Sequence, residues 1–269
     1  MTDLVKGIAA LLSLWIGFLL FGCGSSESRA KTLTLFVAAS LTDVIQEVGA
    51  EFQKEHDVEI FYNFASSGAL ARQLLGSPRA DHYLSASQRW MDEVADGGRL
   101  KDGTRHTLLS NRLVVIGHRS STWELNEPAD LSQLPFRYLA IGDPESVPAG
   151  KYAKTWLESV EIDGGKTLWN EMQGRISPAP DVRAALAQVE GSADVIGIVY
   201  GTDYTASRGQ VRRMYEVPVE EGPKIEYPVA MLSETSEPEL AAEFLAFLSS
   251  PEARKLFEKH GFAVVEEGE

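Results

Sequence analysis

The chain has 269 residues, 44% hydrophobic and 24% charged, the make-up of a folded globular protein rather than a disordered one. Its formal net charge of −14 excludes nonspecific binding to nucleic acid, which needs clustered Lys and Arg. Its single cysteine, Cys23, excludes an internal disulfide framework and any multi-cysteine metal or cluster site.

Gly7 to Phe21 is an apolar run of about 15 residues, short for a bilayer span and suited to the core of an export signal. The Leu20-Phe21-Gly22-Cys23 stretch that follows resembles the lipobox of bacterial lipoproteins, in which the cysteine is lipidated and becomes the mature N-terminus. Residues 1–22 are therefore expected to be a lipoprotein signal peptide, Cys23 to carry lipid, and residues 23–31 to form a small polar tether. The protein would then stand in the periplasm or on the outer face of the envelope, membrane-anchored through that lipid.

From Thr32 the pattern alternates strand and helix. Leu33–Val37 reads as a buried strand, and Val44, Ile45, Val48 and Phe52 recur at helical spacing up to about His56. Val58–Tyr62 reads as a second strand, followed by a short helix through Leu70, Leu74 and Leu75 that stops at Gly76-Ser77-Pro78. A third strand, His82–Ala86, precedes a helix through Trp90, Met91 and Val94 that ends at Gly97-Gly98. Leu113–Gly117 is a long apolar strand whose polar sequel suggests a change of sheet. A second series then has strands at Tyr138–Ile141, near Ile176 and at Val195–Tyr200, with helices at Ala149–Val160, Lys166–Gln173 and Val182–Val189. A strand at Val211–Val217, a return strand at Ile225–Leu232 and helices over Glu237–Leu248 and Pro251–His260 complete the chain.

Repeated βαβ units imply parallel strand pairs with ligands outside the C-terminal strand ends. Crossing near residue 115 and returning near residue 228 implies an α/β protein of two lobes with a ligand cleft between them. The expected division is residues 32–114 plus 229–267 for lobe 1 and residues 115–228 for lobe 2.

Two serine-bearing turns stand where a strand gives way to a helix: Ala38-Ala39-Ser40-Leu41-Thr42 and Ser66-Ser67-Gly68. Each offers free backbone N–H groups beside a hydroxyl, and two such turns facing each other can hold an anion with no cationic side chain. Ordinary N-capping explains one such turn alone. These turns belong to an ordered set with Gly142-Asp143-Pro144-Glu145-Ser146-Val147-Pro148-Ala149-Gly150, Asp181-Val182-Arg183-Ala184-Ala185-Leu186, Gly197-Ile198-Val199-Tyr200-Gly201-Thr202-Asp203 and Glu226-Tyr227-Pro228-Val229-Ala230. The set resembles the substrate-binding proteins of bacterial molybdate ABC transporters, of the two-lobed (type II) periplasmic type.

That resemblance implies an oxyanion site at five positions. Ser40 and Ser67 would contribute hydroxyl and backbone N–H, Ala149 and Val182 backbone N–H, and Tyr200 its phenol. A tetrahedral dianion carries acceptors only, so every lining group must donate. Molybdenum would enter only as the bound oxyanion, with no protein atom as its ligand and no cofactor. Molybdate, with tungstate of nearly the same size, would pass to an ABC permease, and the binding protein is expected to act as a monomer.

Several plainer readings stand beside these. Tyr200 also reads as a core tyrosine, and Pro148-Ala149-Gly150 as a plain helix start. Arg72 and Arg183 read as structural ion-pair partners because each lies inside a helix. Another oxyanion such as sulfate fits the serine turns as well. A hydrolase is disfavoured: the chain has no Gly-x-Ser-x-Gly elbow, and His56, His82, His106, His118 and His260 lack metal-ligand spacing, so no enzyme activity is expected.

Overall fold

A computed structural model describes residues 30–162 and 164–265. The expected signal peptide, the lipidation site Cys23 and all but the end of the tether lie outside these residues. Among the described residues no helix is long and apolar enough to cross a membrane.

The first run of elements is β1 (Lys31–Ala38), α1 (Thr42–Phe52), β2 (Val58–Ala65), α2 (Ser67–Leu75), β3 (His82–Leu84), α3 (Gln88–Asp96) and β4 (His106–Asn111). The middle of the chain supplies β5 (Leu113–His118), β6 (Tyr138–Gly142), α4 (Pro148–Ser159), β7 (Glu161–Ile162), β8 (Lys166–Thr167), α5 (Leu168–Met172), β9 (Ile176–Ala179), α6 (Val182–Gly191), β10 (Val195–Tyr200), α7 (Gly201–Ala206) and β11 (Val211–Glu216). The end returns with β12 (Ile225–Met231), α8 (Pro238–Leu248), α9 (Pro251–Lys259) and β13 (Ala263–Val264).

These strands form two main sheets. The first runs β13-β4-β12-β3-β1-β2, and the second β11-β5-β10-β6-β9. In the first, β1 lies parallel to β2 and β3, while β12 is antiparallel to β3 and β4. In the second, β10 is parallel to β6 and antiparallel to β5. The chain leaves the first sheet through Arg112 alone, between β4 and β5, and comes back over the segment between β11 and β12.

Helices cover both faces of the first sheet, which is why β1 is apolar on both sides from Leu35 onward. On one face α1 packs Val44, Ile45, Val48 and Phe52 with Phe244 of α8 and Phe257 of α9. On the other, Leu70 and Leu74 of α2 pack with Trp90, Met91 and Val94 of α3. Each such side chain contributes about 1.5–3 kcal/mol on burial.

The structure departs from the periodicity reading in three places. The third strand stops at Leu84, and Ser85 and Ala86 continue as a buried turn. The helix expected over Lys166–Gln173 spans only Leu168–Met172, because Thr167 caps it by accepting the Asn170 N–H at 3.4 Å. Lys166-Thr167 instead pairs with Glu161-Ile162 in a hairpin turned by Gly164 and Gly165, at φ of 82° and 73°. Finally β4 carries an alternation too short and too polar to signal a strand, and its pairing with β12 and β13 sets it.

Candidate anion-binding site

Three helix N-termini converge at the C-terminal ends of β2, β6 and β9. Ser67 is the first residue of α2, whose cap Ser66 accepts the Ala69 N–H at 3.4 Å. Ala149 is the second residue of α4, which starts at Pro148. Gly150 lets this start press on β6, since a Cβ there would lie 1.8 Å from the Gly142 carbonyl oxygen. Val182 opens α6 behind Asp181, whose carboxylate caps the helix by accepting the Ala184 N–H at 2.9 Å. First-turn N–H groups have no partner within their own helix, and the dipoles add positive potential where they meet. Ser40 lies in a single 3-10 turn, Ala39–Leu41, leading into α1, and Tyr200 ends β10.

Ser40, Ser67, Ala149, Val182 and Tyr200 line one small cavity, together with Ala38, Ala39, Ser66, Ala86, Val147, Pro148 and Asp181. None of the five is more than 3% exposed, so the cavity lies inside the protein. No Lys or Arg lines it, and Asp181 is its one formal charge. Space outside atoms amounts to about 200 Å³, of which about 10 Å³ can take the centre of a water-sized sphere. That is room for about one water. Larger clefts lie elsewhere. One of about 550 Å³ is lined by Glu127, Asp130, Glu161 and Glu171, and its charge repels anions.

The hydroxyls are held in defined states. Ser67 Oγ accepts the Ala86 N–H at 2.9 Å, which leaves its own proton to donate. Ser40 Oγ lies 3.2 Å from Tyr227 Oη, and Asn111 Nδ2 donates to that Oη at 3.1 Å. Tyr200 Oη is buried and finds no hydrogen bond of good geometry, although Tyr227 lies edge-on to it with ring centroids 5.9 Å apart. Burial, with Tyr227 and Tyr152 nearby, holds the Tyr200 phenol well above its ordinary range, so it stays protonated and able to donate.

The walls come from both sheets, and contacts join them around the cavity. Gly68 of α2 meets the turn before α4 so closely that a Cβ would stand 2.4 Å from the Ser146 carbonyl oxygen. Tyr152 Oη of α4 reaches the Ala86 carbonyl at 3.4 Å, and burial pushes that phenol up to about 12. Arg183 of α6 pairs with Asp43 of α1 at 2.5 Å, and its Nε approaches Asp203 Oδ1 at 2.8 Å without aiming its N–H at that oxygen. Asp203 is fully buried. Burial raises its carboxyl to about 7, against the lowering pull of Arg183 and of the Tyr200 N–H that it accepts at 3.2 Å.

The family model for bacterial extracellular solute-binding proteins matches residues 33–263, nearly all of the described chain. The chain belongs to this family. It is 39% identical to the molybdate-binding protein ModA of Escherichia coli over 90% of this chain and 92% of that protein. It is 32% identical to the putative ABC transporter substrate-binding lipoprotein YvgL of Bacillus subtilis, over 95% and 96% of the two chains. Among solved structures, the periplasmic molybdate-binding protein of Azotobacter vinelandii superposes with a TM-score of 0.78 at 20% identity, covering 87% of this chain and all of that one. The fold of this solute-binding protein is the two-lobed periplasmic one, each main sheet being the heart of a lobe.

The five positions singled out from sequence are thus brought together. Ala86, read from sequence only as the end of the third strand, lines the same cavity and holds Ser67 through its N–H. Arg183 forms ion pairs beside the cavity, and Arg72 stacks on Trp90 at 5.7 Å; neither lines it. Sequence reasoning missed Asn111 and the part played by Tyr227, whose hydroxyl sits behind Ser40. The one available signal was a polar Asn at the end of β4, immediately before the crossing between lobes.

Proposed function

We propose that this protein captures molybdate outside the cytoplasm and delivers it to the permease of an ABC transporter. The observation that carries this reading is the buried cavity between the lobes, rich in neutral donors and free of Lys and Arg, in a chain 39% identical to a molybdate-binding protein. Ser40 and Ser67 donate hydroxyl and N–H, Ala149 and Val182 donate N–H at helix starts, and Tyr200 donates its phenol. Each hydrogen bond to the ionised ligand contributes about 1.5–3 kcal/mol. Tungstate binds the same donors. The protein catalyses no reaction on its cargo and acts as a monomer.

Residues 32–114 plus 229–267 form one lobe and residues 115–228 the other, to within a few residues of the sheet boundaries. Donors on both lobes reach the anion together only when the lobes are closed, so the ligand shifts the population toward closure. Residues 1–22 are the signal peptide, and lipid on Cys23 anchors the protein at the outer face of the membrane. A related lipoprotein name in Bacillus subtilis supports this anchor. Mass spectrometry of membrane-extracted protein tests it, and an intact Met1 with an unmodified thiol counts against it.

Calorimetric titration with molybdate, tungstate, sulfate and phosphate tests the function. Tight binding of the first two and weak binding of the others is expected. Absence of any molybdate binding overturns the reading.

A further inference from the structure

We propose that Asn111 and Tyr227 are positioning residues that fix the Ser40 hydroxyl as a donor toward the anion and so make the site reject oxyanions that carry a proton. The inference rests on the oxyanion reading above and names what selects within that class.

The direction of each proton follows from the partners. Asn111 Oδ1 accepts the Arg112 backbone N–H at 2.9 Å, which fixes the amide's orientation because a backbone N–H can only donate. The amide nitrogen is then committed, giving one N–H to Thr202 Oγ1 at 2.9 Å and the other to Tyr227 Oη at 3.1 Å. Tyr227 Oη therefore accepts from Asn111. The Tyr200 hydroxyl lies nearby but makes no hydrogen bond of good geometry, whereas Ser40 Oγ stands at 3.2 Å, so the Tyr227 proton points to Ser40. Ser40 Oγ accepts that proton and has its own left to give to the cavity. Tyr227 is 1% exposed and gripped edge-on by Tyr200 and Phe262, at 5.9 and 5.4 Å between centroids, so water does not intervene readily in the chain.

Ser67 reaches the same condition by a shorter route, its oxygen taking the Ala86 N–H. Both serines thus offer protons and have an acceptor lone pair already engaged. A fully ionised oxyanion accepts everything offered. A monohydrogen oxyanion brings one O–H that needs an acceptor; Ser40 and Ser67 present it none, and the one carboxylate in the lining, Asp181, is already turned to the Ala184 N–H as the cap of α6, so that O–H is poorly matched, which is costly.

Sulfate and monohydrogen phosphate are dianions of similar size that differ in that one proton, so their affinity ratio reads the direction of the chain and little else. In wild type the ratio favours sulfate. Tyr227→Phe removes the donor to Ser40 Oγ, and phosphate gains on sulfate by about tenfold. Asn111→Asp turns a donor into an acceptor: Tyr227 donates to the new carboxylate, Ser40 donates to Tyr227, and Ser40 faces the cavity as an acceptor. Its added charge weakens both dianions alike, so the ratio moves as far as in Tyr227→Phe or further. Binding is followed by the anion-dependent rise in melting temperature at mildly alkaline pH, which also reports that each variant folds. A role confined to packing lowers both affinities and leaves the ratio in place. A ratio unchanged in both variants, or no phosphate binding by either, overturns the proposal even when wild type binds molybdate. Failure of wild type to bind molybdate instead overturns the function on which it rests.

Discussion

Arg183 of the second lobe holds Asp43 of the first at 2.5 Å, beside the cavity and without touching it. The same guanidinium lies 2.8 Å from Asp203, which has no exposed surface. Arg183 therefore has two duties, one between lobes and one within its own. Asp43→Asn removes only the first. It is expected to lower molybdate affinity by no more than about fivefold, since a half-exposed pair contributes about 1 kcal/mol or less. Arg183→Ala also leaves Asp203 buried without its cation, so its main effect is a fall in melting temperature. An affinity loss in Arg183→Ala larger than in Ser67→Ala would place a counterion role on Arg183 and argue against a site built of neutral donors.

Tyr200→Phe separates binding from stability. Its hydroxyl makes no well-formed hydrogen bond within the protein, so its loss costs the ligand-free fold little. The ligand loses one donor, and molybdate affinity is expected to drop by about 1.5–3 kcal/mol, roughly ten- to 150-fold. Ser67→Ala is expected to lose as much affinity and also to destabilise, because the Ala86 N–H is left without its acceptor. Urea melts and titrations on the two variants compare the effects. Equal destabilisation by both would mean that Tyr200 bonds within the protein.

Gly68→Ala probes closure. A methyl group there would stand 2.4 Å from the Ser146 oxygen across the cleft and 2.7 Å from the Trp90 ring of its own lobe. The ring contact costs some stability. The carbonyl contact can be relieved by keeping the lobes apart, so solution scattering with molybdate is expected to show less compaction than in wild type, with weaker binding. Full compaction at wild-type affinity would mean that the approach of Gly68 to Ser146 is not needed for binding.

Two buried groups give opposing pH dependences. Burial lowers His82 from 6.5 to about 4, so the unfolded chain binds the extra proton between those values and this contribution to stability is lost as pH falls from 6.5 to 4. Its size is on the order of 3 kcal/mol. Burial raises Asp203 from 3.8 to about 7, so the native state binds the extra proton and stability falls as pH rises across that window. In Asp203→Asn the slope opposing that of His82 is gone, and denaturant stability is expected to climb more steeply from pH 4 to 6.5 than in wild type. A climb no steeper than in wild type would mean that the Asp203 carboxyl is not raised by burial.

What the sequence discloses follows local chemistry. The turns at Ser40, Ser67, Ala149 and Val182 are legible because a Ser, Pro, Gly or Asp marks each strand-to-helix change, and caps are written within four residues of the helix they start. The long apolar strands are legible because helices or a second layer bury them on both faces. β4 and the β7–β8 hairpin escape such reading, since partners distant in sequence or a pair of glycines at positive φ decide them. Tyr227 and Ser40 lie 187 positions apart, and only the packed sheet brings their hydroxyls together. A residue that acts by orienting another leaves no local motif.

The donors are shared out so that Ser40 and Ser67 travel with the first sheet, and Ala149, Val182 and Tyr200 with the second. Each lobe alone is a shallow half-site with two or three donors exposed to competing water. On the function proposed above, a transporter that levers the lobes apart need not break five bonds at once or supply a rival ligand. It would have only to turn one tight site into two poor ones, so that release follows from the geometry of opening alone.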